Sequence, residues 1–142
     1  MLCFFDTNVL VYQFVTDSPN KSAIAKRLYL DSVRENNAIV SVQVLQEFFV
    51  TVSKKLEVAQ PSHEAERAVR DFSRTLKVVE TDVSLVLGAI ATFHRYRISF
   101  WDALIIQAAL RAGAEILYTE DLQDGQVFES LTVRNPFAGI QG

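Results

Sequence analysis

Three short runs with no polar side chain inside them constrain this chain most: Leu2-Cys3-Phe4-Phe5, Ala38-Ile39-Val40 and Ile116-Leu117-Tyr118. A short run without polar-apolar alternation reads as a strand covered on both faces, the kind a parallel sheet uses. Leu76-Lys77-Val78-Val79 and Leu131-Thr132-Val133 are expected as two further strands. The segments between them carry helical spacing. One or two helical turns are expected from Asn8 to about Phe14, and Asp17-Ser18-Pro19-Asn20 supplies loop and capping residues for a helix from about Lys21 to Arg34, with Ile24, Leu28 and Val33 facing inward. Ser41 can cap a helix with Val42, Leu45, Phe48, Phe49 and Val52 on its apolar side and Lys54-Lys55 at its C-terminus. Pro61-Ser62 opens the next helix, with Val69 and Phe72 inside. Thr81 or Asp82 then caps a helix bearing Val83, Leu87 and Ile90 at helical spacing, and a last helix runs from about Trp101 to Arg111. Strands alternating with helices imply right-handed crossovers, so the expected fold is a three-layer α/β/α sandwich around a short parallel sheet. The length of 142 residues fits one domain over 1–142.

Apolar residues make up 49% and charged residues 22%, which supplies a core and excludes a disordered chain. With 14 Lys and Arg against 17 Asp and Glu, the net charge of -3 excludes bulk electrostatic grip on long nucleic acid. Any such contact is local, and the basic candidates Lys21, Lys26, Arg27, Lys54, Lys55 and Arg95 are scattered. A single cysteine, Cys3, excludes an internal disulfide framework and a Cys-based zinc site, which makes the cytoplasm the expected compartment. No apolar run approaches the ~20 residues of a membrane span. The apolar start meets Asp6 at once and has no basic n-region, so no secretory signal is expected.

Sheets of this kind place their working site beyond the carboxyl ends of the strands. Several acids are expected there. Asp6 directly follows the first strand, with Thr7 and Asn8 beside it; a capping role is its ordinary alternative. Asp121 follows the Ile116–Tyr118 run, with Thr119 between and Glu120 and Asp124 close by. Glu47 sits in the helix segment Val44-Leu45-Gln46-Glu47-Phe48-Phe49-Val50 with no basic residue nearer in sequence than Lys54, so it either points to solvent or meets a cation. Asp102 lies between Phe100-Trp101 and Ala103-Leu104-Ile105-Ile106; a salt bridge to Arg95 or Arg97 is the competing reading.

Carboxylates about 5 Å apart repel by roughly 3 kcal/mol per pair at an effective dielectric of 20, so a shared acidic pocket calls for a cation. An all-oxygen pocket selects a hard divalent ion such as Mg²⁺ or Mn²⁺. His63 and His94 lack zinc-ligand spacing, and no Gly-rich phosphate loop, nucleophile elbow or Cys/His pair is present. The remaining chemistry is metal-assisted attack of water on a phosphodiester.

The segments Phe5-Asp6-Thr7-Asn8-Val9-Leu10-Val11-Tyr12, Val44-Leu45-Gln46-Glu47-Phe48, Ser99-Phe100-Trp101-Asp102-Ala103-Leu104-Ile105 and Tyr118-Thr119-Glu120-Asp121-Leu122, in this order, resemble the PIN-domain family and within it the VapC-like toxins of toxin-antitoxin pairs. The resemblance covers nearly the whole chain. It implies a Mg²⁺- or Mn²⁺-dependent endoribonuclease with Asp6, Glu47, Asp102 and Asp121 as its acidic pocket, Asn8 and Thr119 orienting ligands or bound water, and Asp124 as an extra acid or supporting group. It also implies an RNA substrate, a homodimer and an antitoxin protein that blocks the pocket. The main rival is a receiver-like signalling domain, in which an Asp after the middle strand is phosphorylated and a Lys follows the last strand; Val78-Val79-Glu80-Thr81-Asp82 can be strained to fit, but Arg134 stands where Lys is needed. An Asp-x-Asp phosphotransferase is weaker, because Asn8 replaces the second Asp. A non-catalytic PIN-fold binding module is the third reading, which the intact acid set opposes.

Overall fold

A computed structural model describes residues 1–140. Its elements, in chain order, are β1 (Cys3–Phe5), α1 (Thr7–Val11), α2 (Pro19–Arg34), β2 (Ala38–Ser41), α3 (Val42–Lys55), α4 (Pro61–Thr75), β3 (Lys77–Val79), α5 (Val83–Tyr96), α6 (Phe100–Arg111), β4 (Ile116–Tyr118), β5 (Val127–Phe128) and β6 (Leu131–Arg134). The strands form one sheet in the order β3-β2-β1-β4-β6-β5. Every pairing is parallel except that between β5 and β6.

The strand order follows from the apolar runs. β1 and β2 are buried along their whole length, and β1 sits inside the sheet between β2 and β4. From β1 the chain steps to β2 and then β3 in one direction, so right-handed crossovers put α1 to α4 on one face. It then returns past β2 and β1 to reach β4, which puts α5 and α6 on the other. An aromatic cluster marks the first face: Phe5 meets the Tyr29 ring edge-on at 6.2 Å, Tyr29 meets Phe72 at 5.6 Å, and Phe72 meets Phe48 at 5.0 Å. On the second face Tyr96 of α5 stacks edge-on against Phe128 at 4.8 Å. The expected three-layer sandwich is therefore the observed one.

Local capping chemistry fixes most helix starts. Ser18, Ser41, Asp82 and Ser99 accept backbone N–H groups of α2, α3, α5 and α6, as the polar residues ahead of each apolar stretch predict. One expectation, for Phe49, needs correcting, and two features go beyond what the sequence pattern specifies. β5 has only two residues, one exposed, and carries no signal of its own; it exists because the tight Glu129-Ser130 turn folds it back on β6. Val83, Leu87 and Ile90 do lie on one stripe of α5, but it is the exposed stripe, with Val83 at 74% and Leu87 at 62%, while Leu85 and Ala89 are buried. Phe49 on α3 is also exposed, the packed face being Val44, Phe48 and Val52.

The sheet order contains a switch point between β1 and β4, where successive connections leave in opposite directions. A crevice must open there at the carboxyl ends of the strands. Phe5 is in register with Tyr118, so Asp6 and Thr119 are the first residues beyond the sheet on each side, joined by the Asp6 N–H to Tyr118 C=O bond at 3.0 Å.

Candidate active site

The crevice is a pocket of about 440 Å³ whose lining includes Asp6, Glu47, Asp102 and Asp121. The structure thus brings together all four acids expected from the sequence, and among the described residues the lining contains no Lys, Arg or His. Each arrives from a different element: Asp6 from the end of β1, Glu47 from the second turn of α3, Asp102 from the first turn of α6 and Asp121 from the loop after β4.

Asp6 is 5% exposed and fully engaged by neutral donors. Oδ1 accepts the Thr7 backbone N–H at 2.7 Å, and Oδ2 accepts the Thr119 hydroxyl at 2.7 Å. Capping and pocket roles therefore coexist in this residue. Burial pushes its carboxyl up to about 7, against the lowering effect of the Thr119 and Thr7 hydrogen bonds and with further upward pressure from Asp121 and Glu47. Thr119 is itself buried, and its Oγ1 also accepts the Asp121 N–H at 3.1 Å, so one hydroxyl links two acids. Asn8 Nδ2 lies 3.1 and 3.2 Å from the two Asp121 carboxylate oxygens. Partial burial raises the Asp121 carboxyl, and Asp102, Glu120 and Glu47 add to the rise while Asn8 opposes it.

Glu47 Oε1 accepts the Thr7 hydroxyl at 2.7 Å, leaving Oε2 with only a long contact to Gln43 Nε2 at 3.5 Å. Asp102 pairs with neither Arg95 nor Arg97 among the described residues; its N–H is capped by Ser99, and Arg95 lies over the Tyr96 ring instead. That removes the salt-bridge reading. Asp124 stands outside the pocket lining, its Oδ1 accepting the Asn135 N–H at 2.9 Å, which ties the loop after β4 to the end of β6.

Two supporting features were missed in the sequence. Gln43, buried one helical turn before Glu47, spans Glu47 Oε2 and the Trp101 carbonyl at 3.3 Å; its i to i+4 spacing from Glu47 was the available signal. Glu120 is held by the Tyr12 hydroxyl and by Lys21 Nζ at 3.0 Å, which fastens the Asp121 loop to α1 and α2. Burial, with Glu120 next, pushes the Tyr12 hydroxyl far up, so it stays protonated and donates. Lys21 is consequently committed to Glu120 and is not a free RNA-binding cation.

The donor set fits a hard cation. It consists of oxygen ligands alone, carries uncompensated negative charge, and holds two carboxyls raised above their ordinary range. Among the described residues no three His, Cys, Asp or Glu side chains stand close enough together to hold one metal ion directly. Mg²⁺ suits such an open arrangement, since it takes one or two carboxylates and keeps several waters.

The receiver-like reading fails on geometry. β3 is an edge strand, and Asp82 after it is committed to a fork with Arg111 at 2.9 and 2.9 Å and to the Leu85 N–H.

The chain belongs to the PIN domain family, whose sequence pattern it matches over residues 3–125. Solved structures share the fold at low identity. The VapC20 toxin of Mycobacterium tuberculosis, described as cleaving the sarcin-ricin loop, is 19% identical with a TM-score of 0.66, covering 84% of this chain and 89% of its own. A toxin-antitoxin complex from Klebsiella pneumoniae gives 20% identity and a TM-score of 0.70, covering 94% and 97%. VapBC2 of Rickettsia felis, bound to a DNA fragment of its promoter, gives 19% and 0.65, covering 95% and 98%. No curated protein matches the chain with significance.

Proposed function

We propose that this PIN-domain protein is a Mg²⁺- or Mn²⁺-dependent endoribonuclease acting as the toxin of a toxin-antitoxin pair. The observation that carries the reading is the convergence of four carboxylates, with no basic side chain in the lining among the described residues, on the crevice at the sheet's switch point. Asp6, Asp102 and Asp121 would hold the ion, directly or through water. When bound, it supplies a lowered water pKa and charge neutralisation at the phosphodiester. The chain's own groups do the positioning. Thr7 and Thr119 fix both oxygens of Asp6, Asn8 and Thr119 orient Asp121, and Thr7 turns Glu47 so that Oε2 can accept a hydrogen bond from the attacking water. Hydrolysis adds one water across one P–O bond of the RNA backbone.

The test is cleavage of a panel of structured and single-stranded RNAs by the purified protein. Products should form in Mg²⁺ or Mn²⁺ and stop in EDTA; equal activity with the chelator overturns the reading. A small phosphoryl donor should leave no acyl phosphate on the protein.

The toxin-antitoxin complexes among the structural relatives support an antitoxin partner, which we propose blocks the pocket. Expression alone should slow host growth, and co-expression of the adjacent gene should restore it. The exposed Val83-Leu87-Ile90 stripe supports a homodimer, measurable as twice the monomer mass in solution. No helix among the described residues is long and apolar enough to cross a membrane. We infer a cytoplasmic location from the RNA substrate and the unpaired Cys3.

A further inference from the structure

The acid pocket continues on both sides into open clefts of opposite chemistry. On one side, through the shared residues Asn8 and Thr51, it joins a mixed polar groove that carries Lys54 and Lys55 at the end of α3 with Lys21, Asp17 and Glu57 farther along. Neither lysine makes an ion pair among the described residues. On the other side, through Gln43, Gln46 and Trp101, it joins a cleft of about 600 Å³ walled by Trp101, Phe100, Val86 and Leu104. Among the described residues the only charged one lining that cleft is Glu80, so it repels phosphate and offers flat apolar surface instead.

Trp101 is 63% exposed although it is the chain's only tryptophan and the α6 residues from Ala103 to Ile106 are buried. Its backbone is pinned by the Gln43 amide donating to the Trp101 carbonyl at 3.3 Å, and its ring is braced edge-on by Phe100 at 5.3 Å and 72°. Gln43 is 7% exposed, and both acceptors near its Nε2, Glu47 Oε2 and the Trp101 carbonyl, fix which end of the amide faces them. Its Oε1 is left in the wall common to pocket and cleft without a donor, a cost of the kind proteins retain at binding sites.

We propose that the Trp101 cleft is a nucleobase subsite: the base next to the scissile phosphate stacks on the Trp101 indole, while the backbone beyond the acid pocket runs along the Lys54-Lys55 groove. This rests on the nuclease reading above. Base-aromatic stacking needs an exposed, immobilised ring and tolerates any base, whereas a few lysines suffice to track the backbone of a single strand. The division of labour accounts for RNA binding by a chain of net charge -3. Attraction to phosphate is confined to one groove, and a neutral surface grips the base on the other side of the acids.

The test is a cleavage series on one single-stranded oligoribonucleotide in which each nucleotide in turn is made abasic, with wild type, Trp101→Ala and Trp101→Phe in Mg²⁺. In wild type one abasic position beside the cut should lower kcat/KM by about ten- to a hundredfold. Trp101→Ala should show that loss on the intact strand and none further at that abasic position, and Trp101→Phe should stay within about fivefold of wild type. Trp101→Ala cleaving the intact strand like wild type, or keeping the wild-type abasic profile, overturns the subsite and leaves the nuclease reading standing. A change only in the mass of the particle on Trp101→Ala assigns the ring to a protein contact and equally overturns it. If wild type cuts no RNA, the nuclease reading fails, and fluorescence of the sole tryptophan decides the subsite separately. Quenching by the intact strand but not by a fully abasic one supports it, and no quenching overturns it.

Discussion

Replacing Asp6 by Asn separates the charge of the buried carboxylate from its shape. In the absence of metal the native carboxyl titrates at about 7, against an ordinary 3.8, because it is buried among other acids. Between these values the folded protein holds a proton that the unfolded chain has lost, so stability falls as pH rises through the window. The contribution is intact below about 4 and gone above about 7, and the difference corresponds to about 4 kcal/mol. Asn keeps the volume and can accept the Thr7 N–H on its carbonyl, with its amide turned toward the Thr119 hydroxyl oxygen, and has no proton to lose. Asp121, also raised, adds a slope of the same sign, and because it shares the Thr119 hydroxyl and a charge repulsion with Asp6, removing the Asp6 charge relieves it and adds to the difference in the same direction. Urea unfolding of wild type and Asp6→Asn in EDTA, at half-unit steps from pH 4.5 to 8.5, should show near-equal stability at the acid end. Between the two ends the lead of the variant should grow by about 3 kcal/mol. A difference that stays flat with pH, or wild type gaining on the variant as pH rises, would refute the claim that this carboxylate is buried without a compensating cation.

Mg²⁺ at ten times its dissociation constant should stabilise wild type by about 1.4 kcal/mol at pH 8, read as a rise in melting temperature that Asp6→Asn lacks. Thr7→Val should cost about 1.5–3 kcal/mol by leaving Glu47 Oε1 without its 2.7 Å donor, and should cut RNA cleavage at least about tenfold, with Thr7→Ser restoring both. Phe48→Ala should cost about 3–5 kcal/mol in denaturant unfolding, since the ring is fully buried between Phe14 and Phe72.

The apolar runs at Leu2–Phe5, Ala38–Val40 and Ile116–Tyr118 were readable as strands because both faces of each are covered, which removes the ambiguity of a half-buried pattern. The acids at strand ends were readable from their position: Asp6 directly follows a buried strand, and Asp121 comes three residues after the end of another. α5 was different. Val83, Leu85, Val86, Leu87, Ala89 and Ile90 supply apolar side chains on several faces, so helical spacing identifies the helix without choosing the side that packs against α6. What holds the site together was hidden because its partners are distant in sequence. Thr7 meets Glu47 across 40 residues, and Lys21 meets Glu120 across 99. Those pairings come from the crossovers, and no local pattern encodes them.

The central claim, that Asp6, Glu47, Asp102 and Asp121 form one cation site serving RNA cleavage, is tested most directly by Mn²⁺ binding, followed by electron paramagnetic resonance, in wild type and in the Asn or Gln variant of each acid. Wild type should bind Mn²⁺ saturably, Asp6→Asn, Asp102→Asn and Asp121→Asn should bind it at least about tenfold more weakly and lose cleavage, and Glu47→Gln should lose cleavage with a smaller effect on Mn²⁺. Wild-type Mn²⁺ affinity and cleavage persisting in the three Asp variants would contradict the claim.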